Sequence, residues 1–213
     1  MFHVKQETYL YDIIVKTGLV EQDNLEKLIT HFRLFKEWSS IINLTGLTDL
    51  KDIAESLYLD SIVSSAKIAS IIPEVKCIHD VGSGAGFPGL ILPLFYQDTT
   101  KFFLYESRRK RANFLKSAIR EMGLSNVKVL QERVIKSMFV SDMVTSRAAL
   151  SFESWIDLGS TLVNEGGHVI AYSNADSDND LEDVTSFLKL YKKIDYELPM
   201  SRKKRAVYMF TRM

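Results

Sequence analysis

The first seventy residues carry apolar side chains at a helical period. Asp23 is followed three residues later by Glu26, a pair that resembles the capping box at the start of a helix. A second amphipathic helix is expected to begin near Asp49 and to end before Pro73, because the residue before a proline disfavours helical geometry. Residues 1–73 are therefore predicted to form a helical cap. The apolar positions of the first helix, spaced as one buried face requires, are Leu25, Leu28, Ile29, Phe32, Phe35, Trp38 and Ile42.

From Val75 onward, short apolar runs alternate with helical stretches. This alternation predicts a mostly parallel sheet that is covered by helices. Helices are expected at Arg108–Met122, closed by Gly123, and at Phe152–Val163. Residues 74–213 are predicted to be the larger part of one folding unit with the cap. The predicted strands are Val75–Val81, Phe102–Glu106, Val127–Leu130, Met143–Ser146 and His168–Tyr172.

The end of the chain departs from the alternation of strands and helices. Apolar residues alternate at Ile194, Tyr196 and Leu198 and again over Ala206–Phe210, with only a short loop between the two runs. A parallel crossover needs a dozen or more residues, so these two strands are expected to be antiparallel. The predicted fold class is α/β, with a mostly parallel sheet that closes in an antiparallel hairpin and carries an N-terminal helical cap.

Composition excludes several classes of protein. The 213 residues are 46% hydrophobic and 25% charged, which suits one substantial core. No apolar run reaches the ~20 residues of a bilayer span, and an N-terminus with Lys5 and Glu7 lacks a signal-peptide core, so we expect a soluble, cytoplasmic protein. The single Cys77 cannot form an intramolecular disulfide, and the four histidines are scattered without the spacing of metal ligands. No metal site is expected.

Charge gives local rather than global evidence for a nucleic-acid partner. The formal net charge is zero, which argues against attraction between nucleic acid and the whole molecule. Two basic tetrads are candidates for contacts with RNA phosphates, although each could equally be a solvated face. The acidic run from Asn174 to Asp183 is expected to be a solvated loop and the first turn of a helix. The tetrads are Arg108, Arg109, Lys110 and Arg111, and Arg202, Lys203, Lys204 and Arg205.

The stretch Asp80–Gly89 is the strongest candidate for a ligand site. It reads Asp-Val-Gly-Ser-Gly-Ala-Gly-Phe-Pro-Gly and lies between a predicted strand and a predicted helix. Glycines let the backbone approach a ligand closely, and a helix N-terminus offers unpaired N–H groups. Pro88 suits the first position of that helix, whereas Pro93 inside it indicates a short or kinked helix. The alternate glycines are Gly82, Gly84 and Gly86.

The glycine stretch alone leaves the ligand undecided. Gly84, Gly86 and Gly89 satisfy the G-x-G-x-x-G pattern of nicotinamide dinucleotide sites. Glu106, at the end of the next strand, is placed to accept hydrogen bonds from a ribose, but dinucleotide and S-adenosylmethionine sites both use an acid there. The long segment before the first strand, the closing hairpin and the lack of chain for a separate substrate domain favour methyl transfer.

Five motifs together resemble a known family. In order and spacing they are similar to the glucose-inhibited division protein B family, which comprises the bacterial 16S ribosomal RNA guanine-N7 methyltransferases. The resemblance covers nearly the whole chain, and the set is far more specific than any single motif. The motifs are Asn43-Leu44-Thr45, Leu59-Asp60-Ser61, Asp80–Gly89, Glu106-Ser107 with Lys110-Arg111, and Ser146-Arg147-Ala148.

This resemblance implies a Rossmann-like, S-adenosylmethionine-dependent methyltransferase sheet that acts on 16S ribosomal RNA or the small ribosomal subunit, and we expect a monomer. Gly82 and Phe87 would contact the cofactor, Val134 and Ile135 would border its adenine, and Arg147 would complete the site. The residues support the role of Arg147 independently, since it ends a predicted strand at the edge where open α/β sheets bind ligands.

The sequence departs from the family pattern at three positions. Leu57 stands where the family commonly has histidine, and Ser173-Asn174 stands where it commonly has Lys-Gly. These departures bear on contacts with the substrate more than on the cofactor site.

The implied chemistry needs no general base, because N7 of guanine carries a free lone pair. Our hypothesis is that Arg147 orders the cofactor or the RNA, that Asp80 and Glu106 fix the cofactor, and that the tetrads hold phosphates. The deep major groove of duplex RNA requires the target base to be unpaired or extruded. Two alternatives remain: an NAD(P)-dependent oxidoreductase, and a non-catalytic RNA-binding protein with this fold. The aromatic candidates for stacking on the base are Phe87, Trp38, Tyr58 and Tyr172.

Overall fold

The computed structural model describes residues 2–174 and 186–213. The predicted acidic loop lies almost entirely outside these residues. The cap contains four α-helices, and a π-helical segment, Ala54–Leu59, joins the third to the fourth. The α-helices are α1 (Phe2–Val15), α2 (Gln22–Ser39), α3 (Leu50–Ile53) and α4 (Asp60–Ile71).

The starts of α2 and α3 test two expectations about capping. The capping box at Asp23 is wrong, because α2 begins at Gln22 and its N-cap residue is Glu21, whose side chain makes no capping hydrogen bond. Asp23 instead lies inside the first turn, where a negative charge is favoured by the helix dipole. The second helix begins as expected: Asp49 caps α3 by accepting hydrogen bonds from the N–H groups of Lys51 and Asp52.

In the described part of the chain, seven strands form one sheet in the order β3-β2-β1-β4-β5-β7-β6. The first five strands are parallel, and β7 runs antiparallel between β5 and β6. The predicted α/β fold with a closing hairpin is therefore confirmed. The strands are β1 (Cys77–Val81), β2 (Lys101–Tyr105), β3 (Val127–Leu130), β4 (Ser141–Ser146), β5 (Val163–Asn174), β6 (Leu188–Glu197) and β7 (Lys204–Arg212).

Two of the three helices predicted between strands are present. They are α5 (Arg109–Met122), which Gly123 closes in the left-handed conformation, and α6 (Phe152–Ser160). The third prediction, a helix starting at Pro88, is wrong: this segment is a series of turns that ends in a 3₁₀-helix, Leu92–Phe95. Pro93 has no N–H to donate to an α-helical ladder, which accounts for the short helix.

The cap and the sheet share a hydrophobic core. Phe32 and Phe35 of α2 and Tyr58 of the π-helical segment are buried in the same cluster as Ile78 of β1 and Leu104 of β2. The cap therefore packs directly on the sheet, beside the end of β1 from which the glycine stretch emerges. Within the described residues, no helix has both the length and the apolarity to cross a membrane.

Candidate functional site

The segment Gly82–Gly89, here called the glycine loop, leaves the carboxyl end of β1. The N–H groups of Gly82 and Ser83 donate to the carbonyl of Tyr105 at 2.9 and 3.0 Å, which ties the loop to the end of β2. Gly82 has a φ of +76°, and a Cβ there would lie 2.5 Å from the Cβ of Ala149. Only glycine is tolerated at this position, because the backbone is left-handed and the opposite wall is in close contact.

A cavity of about 590 Å³, the loop cavity, lies between the glycine loop and the cap. A second cavity of about 340 Å³, the side cavity, adjoins it. Both are lined by Gly82, Glu106, Ser107, Arg133 and Ala149, so the two volumes are parts of one continuous groove. The groove runs along the carboxyl edge of the sheet, past the residues that follow β1 and β2.

The structure places most of the predicted cofactor residues along this groove. Gly82, Gly84, Phe87, Glu106 and Arg147 line the loop cavity, and Val134 lines the side cavity. Ile135 does not line either cavity and is 64% exposed. Gly86 shapes the loop from behind, with a φ of +85° and with Leu90 packed against it.

Glu106 is buried at the end of β2 and holds the glycine loop in place. Its carboxylate accepts hydrogen bonds from the N–H of Gly84 at 3.1 Å and from the N–H of Arg108 at 2.7 Å. The acid thus fixes both the loop and the start of α5. Each carboxylate oxygen has two lone pairs, so both oxygens can accept a further hydrogen bond from a ligand in the groove.

Asp80 lies beneath the glycine loop and is 2% exposed. Among the described residues, neither carboxylate oxygen has a hydrogen-bond partner, and a Cβ on Gly89 would come within 2.4 Å of Oδ2. Burial raises the pKa of Asp80 from 3.8 to about 7, since removing the group from water disfavours its charged form. Asp80 lines neither the loop cavity nor the side cavity, and a buried acid without a donor is a group that a cation or a water reaching it would satisfy.

Arg147 follows β4 and lines both the loop cavity and a third cavity. Its guanidinium donates to the hydroxyl of Ser61 at 2.9 Å and to the carbonyl of Ser56, and Nη1 lies 3.8 Å from Oδ2 of Asp60. The side chain is 18% exposed. The cap therefore fixes Arg147 between the two cavities.

The third cavity, here called the outer cavity, has a volume of about 440 Å³. Leu57, Arg147 and Ala148 line both the outer cavity and the loop cavity. The remaining wall is part polar and part aromatic, with Asp60, Asn174, Arg205, Phe152, Trp155 and Tyr172 among its residues. The departures from the family pattern at Leu57 and at Ser173-Asn174 all lie on this wall.

Asp60 organises the polar wall of the outer cavity. Oδ1 accepts a hydrogen bond from the hydroxyl of Tyr196, and Oδ2 accepts one from Nε of Arg205 at 3.4 Å. Arg205 also donates to Oδ1 of Asn174 at 2.8 Å. This last residue of the second basic tetrad is therefore part of the cavity wall, where its charge is paired.

The cap also contacts the tip of the β6–β7 hairpin. Glu55 is buried in the π-helical segment and accepts hydrogen bonds from the N–H groups of Met200 and Ser201 at 2.8 and 2.6 Å. The wider π-helical turn thus directs Glu55 to the hairpin tip and the carbonyl of Ser56 to Arg147.

The basic tetrads are only partly on the surface. Arg108, Arg109 and Lys110 are exposed, but Arg111 is half-buried, lines the loop cavity and donates to the carbonyl of Asn43 at 3.0 Å. In the second tetrad, Lys203 and Lys204 are exposed. Arg202 pairs with Glu197 at 3.2 Å.

Of the four aromatic residues predicted to stack on a base, three are in or against the hydrophobic core and one lines the outer cavity. Tyr58 is fully buried, Phe87 is 8% exposed, and Trp38 packs against the core, whereas Tyr172 lines the outer cavity.

The sequence did not indicate Arg133, which lines both parts of the groove and precedes the predicted Val134. Across residues 2–174 and 186–213, no three His, Cys, Asp or Glu side chains are grouped so that they could hold a metal.

The sheet order, the glycine loop after β1 and the buried acid at the end of β2 define a Rossmann-like methyltransferase fold. An O-methyltransferase from Bacillus cereus, solved in complex with SAH, superposes with a TM-score of 0.60 over 86% of this chain and 90% of its own, at 12% identity. TrmN from Thermus thermophilus superposes with a TM-score of 0.55 over 72% of this chain and 49% of its own, at 14% identity. Identities this low show the fold alone.

Sequence relatives identify the family. The family model for rRNA small subunit methyltransferase G, GidB, matches residues 24–208. The protein of that name from Syntrophus aciditrophicus is 34% identical over 81% of this chain and 73% of its own. The one from Clostridium beijerinckii is 32% identical over 84% of this chain and 79% of its own. The chain belongs to the rRNA small subunit methyltransferase G family, which confirms the resemblance and favours S-adenosylmethionine over a nicotinamide dinucleotide as its cofactor.

Proposed function

We propose that the protein transfers a methyl group from S-adenosylmethionine to N7 of a guanine in 16S ribosomal RNA. The observation that carries the proposal is the position of Arg147 between two adjoining cavities at the carboxyl edge of the sheet. One cavity suits the cofactor and the other suits an acceptor base.

The groove fits the cofactor in shape and in chemistry. Gly82 leaves room where any side chain would meet Ala149. Gly84, Phe87 and Glu106 would hold the amino-acid and ribose parts, and Val134 would border the adenine in the side cavity. The partnerless carboxylate of Asp80 suits the cofactor's ammonium group, directly or through a water. When bound, the cofactor supplies a methyl group that its sulfonium already activates.

The outer cavity is the proposed acceptor site. Its volume of about 440 Å³ lies within the range of small-molecule pockets. Tyr172 and Phe152 offer aromatic surfaces for an extruded base, and the Asp60–Arg205–Asn174 network offers polar groups for its edge.

The chain's own residues orient the reactants in this proposal and do not move a proton. Guanine N7 has a free lone pair, so no side chain has to act as a base. Orientation of this kind can contribute about 7–11 kcal/mol to lowering a barrier. Arg147 is the residue we assign to this role, because the cap fixes its guanidinium where the two cavities adjoin.

Exposed basic residues would bind the RNA backbone. Arg108, Arg109 and Lys110 lie at the start of α5 beside the loop cavity, and Lys203 and Lys204 lie at the hairpin beside the outer cavity. Phosphate contacts from both sides would fix the register of the RNA without reading its sequence. We propose that the protein acts in the cytoplasm, because ribosomal RNA is its proposed substrate, and that it acts as a monomer.

Labelling of small ribosomal subunits tests the proposal. Wild-type protein, Arg147→Lys and the control Arg120→Lys are incubated with methyl-labelled cofactor and subunits, and the modified nucleotide is mapped. Arg120 is a suitable control, because it is exposed and pairs with its neighbour Glu121. We expect one 7-methylguanosine with the wild type and the control, and a large loss of label with Arg147→Lys. RNA binding without label would support a non-catalytic protein, and binding of NAD in place of S-adenosylhomocysteine would support the oxidoreductase.

A further inference from the structure

A fully buried histidine connects the cap to the glycine loop. His31 lies on α2, with Nδ1 2.8 Å from the hydroxyl of Tyr58 and Nε2 3.2 Å from the carbonyl of Ala85. Ala85 belongs to the glycine loop and lines the loop cavity. One imidazole therefore joins α2, the π-helical segment and the loop.

The partners of His31 determine the direction of both hydrogen bonds. A carbonyl only accepts, so Nε2 carries the hydrogen and donates to Ala85. Burial lowers the pKa of His31 to about 4 and raises that of Tyr58 well above its usual value, so the imidazole stays neutral and the phenol stays protonated. Nδ1 consequently accepts from the hydroxyl of Tyr58. The hydroxyl of Tyr58, both ring nitrogens of His31 and the carbonyl of Ala85 are thereby paired. The other tautomer of His31 would leave the carbonyl of Ala85 facing a nitrogen without a hydrogen.

Aromatic contacts extend the same connection to the cavity wall. The ring of Phe87 lies edge-on to the imidazole of His31, with centroids 5.2 Å apart, and edge-on to the ring of Tyr58 at 4.8 Å. Phe87 and Ala85 both line the loop cavity. Side chains of the cap therefore contact the glycine loop at Ala85 and at Phe87, in the part of the loop that faces the loop cavity.

We propose that His31 is a positioning residue of the cofactor site, which holds the glycine loop through its hydrogen bond to Ala85. The inference rests on the proposed function, since it concerns the cofactor of that reaction. It makes the cap a component of the cofactor site in addition to any contact with RNA. His31 does not line the loop cavity, so it acts on the ligand only through the loop.

Three variants separate the hydrogen bond from packing. His31→Phe keeps a ring in the core but leaves the Ala85 carbonyl and the Tyr58 hydroxyl unpaired. His31→Gln retains an amide N–H that can donate to Ala85. Leu28→Val removes one methylene from another fully buried side chain of α2 that makes no hydrogen bond to the loop. A general loss of core packing would affect His31→Phe and Leu28→Val alike.

Calorimetry with S-adenosylhomocysteine on the full chain tests the inference, together with hydrogen exchange of residues 82–92. We expect His31→Phe to bind about five- to tenfold more weakly, the value of one lost hydrogen bond, and to exchange faster over the loop. His31→Gln should recover most of the affinity, and the KM for RNA should not change. Equal affinity in folded His31→Phe and wild type, or an equal loss in Leu28→Val, would overturn the inference. Failure of the wild type itself to bind would instead overturn the proposed function.

Discussion

Replacement of Asp80 by asparagine removes the carboxylate that is buried beneath the glycine loop without a partner. The pKa of this group rises from 3.8 to about 7 on folding, so the stability it contributes is full below pH 3.8 and is lost as the pH rises to about 7. A pKa that is higher by about three in the folded state lowers the free energy of unfolding above pH 7 by about 4 kcal/mol. The amide of asparagine would bury unpaired groups at a cost of about 1–3 kcal/mol, so Asp80→Asn should be more stable by about 1–3 kcal/mol at pH 7.5.

The same substitution should weaken cofactor binding. If the ammonium group of the cofactor is held by the ionised carboxylate, affinity must rise with pH until Asp80 is fully charged. With a pKa of about 7, the charged fraction grows about eightfold between pH 6 and pH 7.5. Over this interval the wild type should bind S-adenosylhomocysteine about eightfold more tightly, whereas Asp80→Asn should bind weakly at both pH values.

Calorimetry and thermal unfolding at pH 6 and pH 7.5 measure the two effects in parallel. The exposed Asp98→Asn variant removes the same charge from a position far from the groove and should change neither. The distinctive result is a protein that gains stability and loses affinity through one substitution. A wild-type affinity that does not vary between the two pH values would refute the assignment of Asp80 to the ammonium group.

Four further substitutions have expected outcomes. Gly82→Ala adds a Cβ 2.5 Å from that of Ala149 at a φ of +76°. It should destabilise the fold by at least about 1–2 kcal/mol and weaken cofactor binding in calorimetry. Unchanged binding would show that Ala149 can move aside without affecting the cofactor site. Asp60→Asn removes the buried charge that two partly buried guanidinium groups share, so thermal unfolding should reveal a loss of stability of about 3–5 kcal/mol. A loss below about 1 kcal/mol would contradict a structural role for the network. Arg109→Ala and Lys203→Ala should each leave cofactor affinity unchanged and lower the slope of log affinity for RNA against log salt concentration by about one phosphate contact. An unchanged slope would show that the residue does not contact RNA.

Most of the fold follows from local pattern. The strands and the hairpin are readable because alternation along the chain directly reflects which face is buried. The turn segment after the glycine loop was misread as a helix, since Pro88 fits a helix start and only Pro93 argued against a long one. The π-helical segment has no local signal. Its residues Ser56 and Glu55 contact Arg147 and the hairpin tip, which lie more than ninety positions away along the chain.

The candidate site was predictable where its residues are adjacent in sequence. The glycine loop and Glu106 follow two neighbouring strands, so the carboxyl edge of the sheet brings them together. The sequence indicates no role for His31, because nothing in it pairs this residue with Ala85. Arg205 was assigned to phosphate, because a run of basic residues does not reveal that one of them turns inward to a buried acid.

The π-helical segment determines how the residues of α4 are rotated about the helix axis relative to those of α3. It accommodates one residue more than a regular α-helical path, and one residue of an α-helix corresponds to a rotation of about 100°. Deletion of a single residue between Glu55 and Asp60 would let α3 and α4 merge into one uninterrupted helix. Such a shortened helix could present either Glu55 to the hairpin or Asp60 to the arginines, but not both. The spacing between these two acids is therefore a length constraint that insertions and deletions in the cap must respect.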